Sequence, residues 1–155
     1  MVKLHQKPRS DASLSDEYET PDSLFLELCE KHGITPELDA AADYRNTKAP
    51  YWYYKDDSSL NKKWDVDTWI NPPHSLTKEF AQHADLQWSE NNINIIMLVP
   101  ANSICAKYFD DIFENNHATY HRINGRPTFL VNGRPCSAPA RNSYFAVIWR
   151  EGQGC

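Results

Sequence analysis

The spacing of apolar residues changes several times along the chain, and each change predicts an element. Residues 1 to about 16 are polar, with few large apolar groups, and predict a flexible N-terminal arm. Thr20-Pro21-Asp22 then predicts a helix start. The threonine can cap, proline suits the first helical position, and the aspartate sits near the positive end of the helix dipole. Leu24, Phe25 and Leu28 form a helical stripe, and Gly33 supplies the stop. Pro36 to Ala42 reads as a short buried strand and Tyr51 to Tyr54 as a second. Thr68-Trp69-Ile70 reads as a third, ended by Asn71-Pro72-Pro73 because proline cannot donate to a ladder. Leu76 to Ser89 returns to a helical period, Ile93 to Pro100 is the strongest buried strand, and Ser103 to Asn115 is again helical. Thr119–Ile123, Thr128–Val131 and Ser143–Trp149 read as strands, with Asn132-Gly133 as a hairpin turn.

Strands alternating with helices predict an α/β fold, a compact Rossmann-like unit whose mostly parallel sheet ends in an antiparallel C-terminal strand pair. A single domain is expected over residues 17–150, with 151–155 as a tail; 155 residues suffice for one core. Ligands of such sheets bind at the carboxyl ends of the strands. That rule puts Asp39-Ala40-Ala41 and Asn71-Pro72-Pro73-His74 on one rim.

Composition narrows the field. No apolar run approaches the ~20 residues that span a bilayer, and the first residues lack the apolar segment of a signal peptide, so a cytoplasmic protein without membrane attachment is expected. Cys29, Cys105, Cys136 and Cys155 form no Cys-x-x-Cys pair and read as free thiols. The net charge of −5 is unevenly spread. From His117 onward there are five arginines and one acid, while the preceding residues hold 11 bases and 20 acids. An acidic body with an arginine-rich last third points to one surface built for phosphate, with residues 119–142 as a basic strand and hairpin region.

The chemistry is concentrated in Asn71-Pro72-Pro73-His74. Two prolines make this backbone rigid and extended. The Asn71 amide oxygen and the Pro72 carbonyl can then hold a planar amino group by both hydrogens. Two acceptors placed towards tetrahedral geometry draw the amine lone pair out of a base's ring and onto nitrogen, where it can attack a methyl group without a strong base. The fourth residue can stack on a base swung out of the helix. Asn-Pro-Pro also occurs in rigid surface turns; the strand before it and the helix after it are what set this copy apart. Asp39, just after a buried strand, can accept from a nucleoside cofactor or cap a helix, and the small residues Ala40 and Ala41 permit close approach. There is no Gly-x-Gly-x-x-Gly. His117 and His121 are a helical turn apart, but their neighbours read as a strand and no Glu accompanies them, so no metal is expected.

Five blocks, in this order, give the chain its resemblance to a family. They are Tyr18-Glu19-Thr20-Pro21-Asp22-Ser23-Leu24-Phe25, Leu38-Asp39-Ala40-Ala41-Ala42, Trp69-Ile70-Asn71-Pro72-Pro73-His74, Met97-Leu98-Val99-Pro100-Ala101 and Ile123-Asn124-Gly125-Arg126-Pro127-Thr128-Phe129. Across Tyr18 to Trp149 the chain resembles the phage-encoded, Dam-like DNA N-6-adenine-methyltransferases. The resemblance implies an adenine-specific DNA methyltransferase of the restriction-modification kind that uses S-adenosylmethionine and acts on double-stranded DNA in a bacterial cell, with host-restriction evasion and regulation both open as its role. It implies that Thr20, Pro21, Asp39, Ala40, Ala41 and Asn71 bind the cofactor, with Asp56 and Asp57 near its adenosine. Asn71, Pro72, Pro73 and His74 would form the catalytic loop, and Arg122, Arg126, Arg134 and Arg141 would meet DNA. The family's fourth loop position is usually a large aromatic; here it is His74, a smaller stacking surface. Two alternatives remain open: a methyltransferase-fold protein that binds DNA, cofactor or a host protein as a regulator, and an enzyme that methylates the cytosine amine.

Overall fold

The computed structural model describes residues 15–43, 46–54 and 57–152. Eight strands are found among them: β1 (Leu38–Asp39), β2 (Tyr51–Trp52), β3 (Thr68–Ile70), β4 (Ile95–Pro100), β5 (Ala118–Arg122), β6 (Leu130–Val131), β7 (Arg134–Pro135) and β8 (Tyr144–Trp149). The helices are α1 (Asp22–His32), α2 (Thr77–Asn91), α3 (Ala101–Ile104) and α4 (Lys107–Glu114). Six strands form one sheet in the order β2-β1-β3-β4-β8-β5. β2, β1, β3 and β4 run parallel, and β8 lies antiparallel between β4 and β5. This is the predicted mostly parallel α/β sheet with antiparallel pairing at its C-terminal end.

The side-chain period of two sorts the sheet into two apolar faces. Ile95, Met97 and Val99 of β4 cluster with Phe80, Ala84 and Trp88 of α2 and with Phe109 and Ile112 of α4. Ile96 and Leu98 point the other way, into a cluster with Leu28 of α1, Phe129 and Tyr144. All six residues of β4 are buried, and each large side chain contributes roughly 1.5–3 kcal/mol. A strand buried on both faces reads as a continuous apolar run, which is why β4 was legible.

Three expectations shift. The predicted strand over Pro36–Ala42 contracts to Leu38–Asp39, because the Asp39 carboxylate accepts from the Ala41 and Lys48 N–H groups and turns the chain into a loop. The predicted helix over Ser103–Asn115 is two helices. Ala106 is extended (φ −67°, ψ 146°), and this break re-aims the chain so that Phe109 and Ile112 reach the core. Thr20 does not cap α1, and Pro21 lies one residue before the helix. The Pro21 carbonyl accepts from Leu24 and Phe25, while the threonine hydroxyl turns elsewhere. Gly33 does end α1 in the left-handed region, at φ 65°. Asn132 and Gly133 have φ of 52° and 76°, as a tight hairpin turn between β6 and β7 requires.

Candidate catalytic loop and its supports

The strand order reverses between β1 and β3: β2 lies on one side of β1 and β3 on the other. Such a reversal opens a crevice at the carboxyl ends of the two strands. Asp39 pairs with Trp69, and the Ala40 N–H donates to the Trp69 carbonyl at 2.9 Å. Asp39-Ala40-Ala41 and Asn71-Pro72 therefore leave the sheet side by side, as the sequence predicted. β4 and β8 extend further along the same rim. Ile70 pairs with Met97, and the ladder between β4 and β8 continues to Pro100 opposite Tyr144.

Asn71 is fixed in orientation. Its Nδ2 donates to the Tyr18 carbonyl and to the Thr20 Oγ1, each at 3.0 Å. A backbone carbonyl can only accept, so the NH2 end of the amide must face Tyr18. That leaves Oδ1 as the acceptor end of the amide, turned away from Tyr18 and Thr20. Among the described residues no donor reaches Asn71 Oδ1 or the Pro72 carbonyl.

His74 is half-buried among aromatic rings. Its Nε2 lies 2.7 Å from the Tyr144 hydroxyl, and the Tyr18 ring meets it edge-on at 5.7 Å. Tyr18 stacks on Phe129, which in turn meets Tyr144 edge-on. Burial holds His74 below its usual pKa, against a nearby Asp16 that raises it, so the ring is neutral near pH 7. Burial, with Tyr18 beside it, also raises the Tyr144 pKa, so the phenol keeps its proton. Asp16, expected at the end of a loose arm, accepts from the Ser75 N–H and hydroxyl at 2.9 and 2.6 Å and so ties residues 15–17 to the loop.

Asp39 is buried, and burial raises its pKa to about 6 against the opposing effect of the Lys48 and Ala41 N–H groups and the Lys48 charge. Its first task is to shape the 40–48 loop. Ala40 is buried, with its carbonyl accepting from the Ser59 hydroxyl, while Ala41 is half-buried at the rim. Asp57 is exposed and 3.4 Å from Lys62, and Asp56 lies outside the described residues.

The four predicted arginines divide between two surfaces. Arg134 and Arg141 line a groove of about 340 Å³ with Tyr18 and Pro135. Arg122 lines a second groove of about 440 Å³ with Lys31, Asn124 and Pro135, against α1. The two grooves thus flank the β6–β7 hairpin, while Arg126 is exposed and lines neither. Arg150, part of the same basic stretch, instead donates to the His32 carbonyl at 2.9 Å. Among the described residues no group of three or more His, Cys, Asp and Glu side chains could hold a metal; His117 pairs with Asp85.

Sequence reasoning missed three supports: the Tyr18 carbonyl, Tyr144 and Glu19. The Glu19 carboxylate is buried and accepts from the Asn132 N–H at 2.7 Å and from the Gly133 N–H and Asn46 Nδ2 at 3.2 Å. Its only signal was membership of the Tyr18–Phe25 block.

No curated relative matches the chain by sequence. Among solved structures, the human methyltransferase 10 domain containing protein is similar over 83% of this chain at 10% identity, with a TM-score of 0.39. The chain spans about half the length of that structure (54%), too loose a likeness to speak to chemistry. The sequence match is of another order: the model of the DNA N-6-adenine-methyltransferase (Dam) family matches residues 7–153, which takes in the Asp39 loop, the anchored Asn71 and the hairpin alike. The chain belongs to the DNA N-6-adenine-methyltransferase (Dam) family.

Proposed function

We propose that this chain transfers a methyl group to the N6 amine of adenine in double-stranded DNA, holding the amine of a flipped-out base between Asn71 Oδ1 and the Pro72 carbonyl. The observation that carries this reading is the double anchoring of Asn71 Nδ2 by Tyr18 and Thr20, which makes Oδ1 the acceptor end of the amide, beside the Pro72 carbonyl at the strand-order reversal. Acceptors that are already oriented cost no reorganisation as the amine develops positive charge. Family membership supports adenine as the base.

S-adenosylmethionine would supply an electrophilic methyl group at this rim. The half-buried Ala41 at the rim and Pro21 beside Thr20 would meet a nucleoside cofactor, with the buried Asp39 and Ala40 shaping the loop beneath them. Asp57 would contribute only by leaving Lys62. Thr20 would also act through Asn71, since its hydroxyl accepts from the Asn71 amide. No step in this reading requires a metal.

His74 would lie against the flipped base as a neutral ring. Arg134 and Arg141 would meet phosphate on one side of the hairpin and Arg122 on the other, with Arg126 further out. A two-stranded ribbon fits a DNA major groove, which accords with β6–β7 standing between two basic grooves. The setting would be the cytoplasm of a bacterial cell, with the protein encoded by a phage or prophage.

The test is transfer of tritiated methyl from S-adenosylmethionine to unmethylated DNA, with the modified base identified by mass spectrometry. Wild type should yield N6-methyladenine, and Asn71→Ala should lose at least a hundredfold in kcat. N4-methylcytosine as the sole product would reassign the base. An Asn71→Ala enzyme within threefold of wild type would refute the cradle, and no activity in wild type would favour a regulatory binder.

A further inference from the structure

The strap Tyr18–Thr20 touches both the catalytic loop and the hairpin. Tyr18 and Thr20 hold Asn71, while the residue between them holds β6–β7. Glu19 pairs with Leu130 through two backbone hydrogen bonds, Glu19 N–H to Leu130 O at 2.8 Å and Leu130 N–H to Glu19 O at 2.9 Å. Its carboxylate then reaches past the strand to the turn, where the N–H groups of Asn132 and Gly133 converge on it. The turn exposes these two amides because both residues have positive φ. A third donor, Asn46 Nδ2, comes from the loop that Asp39 shapes. Asn46 Oδ1 in turn accepts from Lys48 Nζ at 2.8 Å, and the Lys48 N–H donates to Asp39.

We propose that Glu19 is a positioning residue that couples the hairpin to the amine-binding geometry of Asn71. The inference rests on the cradle reading above. A hairpin of two-residue strands has little stability of its own, and Glu19 supplies it with a buried anionic acceptor for the turn and a backbone partner for Leu130. Displacing the hairpin pulls on Glu19, and Tyr18 and Thr20 on either side must follow. Both anchors of Asn71 Nδ2 would then move together. Engagement of the hairpin by nucleic acid would conversely hold the strap, and with it the orientation of Asn71 Oδ1. Glu19 touches neither acceptor of the cradle, so its effect is on alignment.

Glu19→Gln keeps the shape and the backbone pairing but replaces one acceptor oxygen with an NH2 group. In either amide orientation that group faces an N–H donor. The experiment combines steady-state methyl transfer with amide exchange by NMR on the full chain. The result expected is at least tenfold faster exchange at Asn132 and Gly133, faster exchange of the Asn71 side-chain amide, and a kcat about tenfold lower. The KM for S-adenosylmethionine should stay within twofold. Faster hairpin exchange with an unchanged Asn71 side-chain amide and kcat would overturn the coupling and leave Glu19 as a local staple. So would a kcat loss that is recovered on cooling in proportion to regained folded fraction. Should Glu19→Gln fail to fold, Glu19→Asp carries the same readouts with a smaller expected effect. If wild type transfers no methyl group, the cradle reading fails, and exchange at Asn71 still decides whether strap and hairpin move together.

Discussion

The resemblance assigns Thr20 to the cofactor and the structure sets its hydroxyl on Asn71, so Thr20→Val is the sharpest test of the site. The side chain is only 2% exposed, and valine replaces it nearly isosterically, removing one oxygen that accepts from Asn71 at 3.0 Å. Two hydrogen bonds hold the Asn71 amide in wild type. Rotating it by half a turn would set Oδ1 against the Tyr18 carbonyl, acceptor against acceptor. Loss of the Thr20 bond removes one of the two restraints. The freed hydrogen then faces a buried methyl group, so the cost lies in the range of a donor left unsatisfied, ~1–3 kcal/mol. At 1.36 kcal/mol per tenfold, this lowers kcat by at least about fivefold. Removing the acceptor itself in Asn71→Ala should cost ~10²–10³, the range for loss of one oriented group in an electrostatic cradle.

The assay is single-turnover transfer of labelled methyl to unmethylated duplex, with cofactor affinity measured separately by calorimetry. Thr20→Ser, which keeps the hydroxyl, should stay close to wild type. If Thr20 instead held the methionine end of the cofactor, valine would raise the cofactor Kd and leave the rate at saturation unchanged. That outcome would refute the claim that Thr20 serves Asn71. An Asn71→Ala enzyme within threefold of wild type would remove the cradle altogether.

Three further outcomes follow from the charges. The folded-state pKa of Asp39, raised to about 6 by burial, means its stabilising effect is complete below the unfolded value and lost as pH rises through 6, so Asp39→Asn should gain Tm relative to wild type between pH 4 and pH 7 in calorimetric scans. His32 runs the opposite way: burial, then the neighbouring His121, Arg150 and Lys31, lower its pKa to about 4, so stability is full above about pH 6.5 and lost as pH falls towards 4. His32→Phe should therefore raise Tm more at pH 5 than at pH 8, the more so because His32 Nε2 is buried without a partner; an equal shift at both would count against this account. Arg134→Ala and Arg141→Ala should each weaken DNA binding and reduce the salt slope of log Kd by about 1, whereas a loss of affinity with no change in slope would place them away from phosphate.

The parts of this fold that were legible in the sequence are those whose cause is local. β4 declares itself by an unbroken apolar run, the hairpin by Asn132-Gly133, and the end of α1 by Gly33. The rim could also be inferred, because proline stops β3 at a fixed residue and strand ends collect ligands whatever the side chains. The start of α1 was misread because the Thr-Pro-Asp pattern satisfies a capping rule that Thr20 does not obey. Its hydroxyl has a competing partner 51 residues away, and no local pattern reports it. The break at Ala106 was hidden for a similar reason, since helical spacing continues through it and only the direction of the core decides.

His74 shows how a substitution that weakens a motif in sequence can be met by the tertiary structure. Read alone, a histidine in place of a large aromatic loses stacking area. In the fold, β8 brings Tyr144 to the same rim, and its hydroxyl fixes the imidazole at 2.7 Å while Tyr18 borders it edge-on. On the proposed reading, a ring so held would give up less conformational entropy as a base settled against it, which would offset part of the lost area. Tyr18 ties this effect to the chemistry, because its carbonyl anchors Asn71 while its ring packs on His74. His74 and Asn71 therefore share one support, and a change at Tyr18 must act on both.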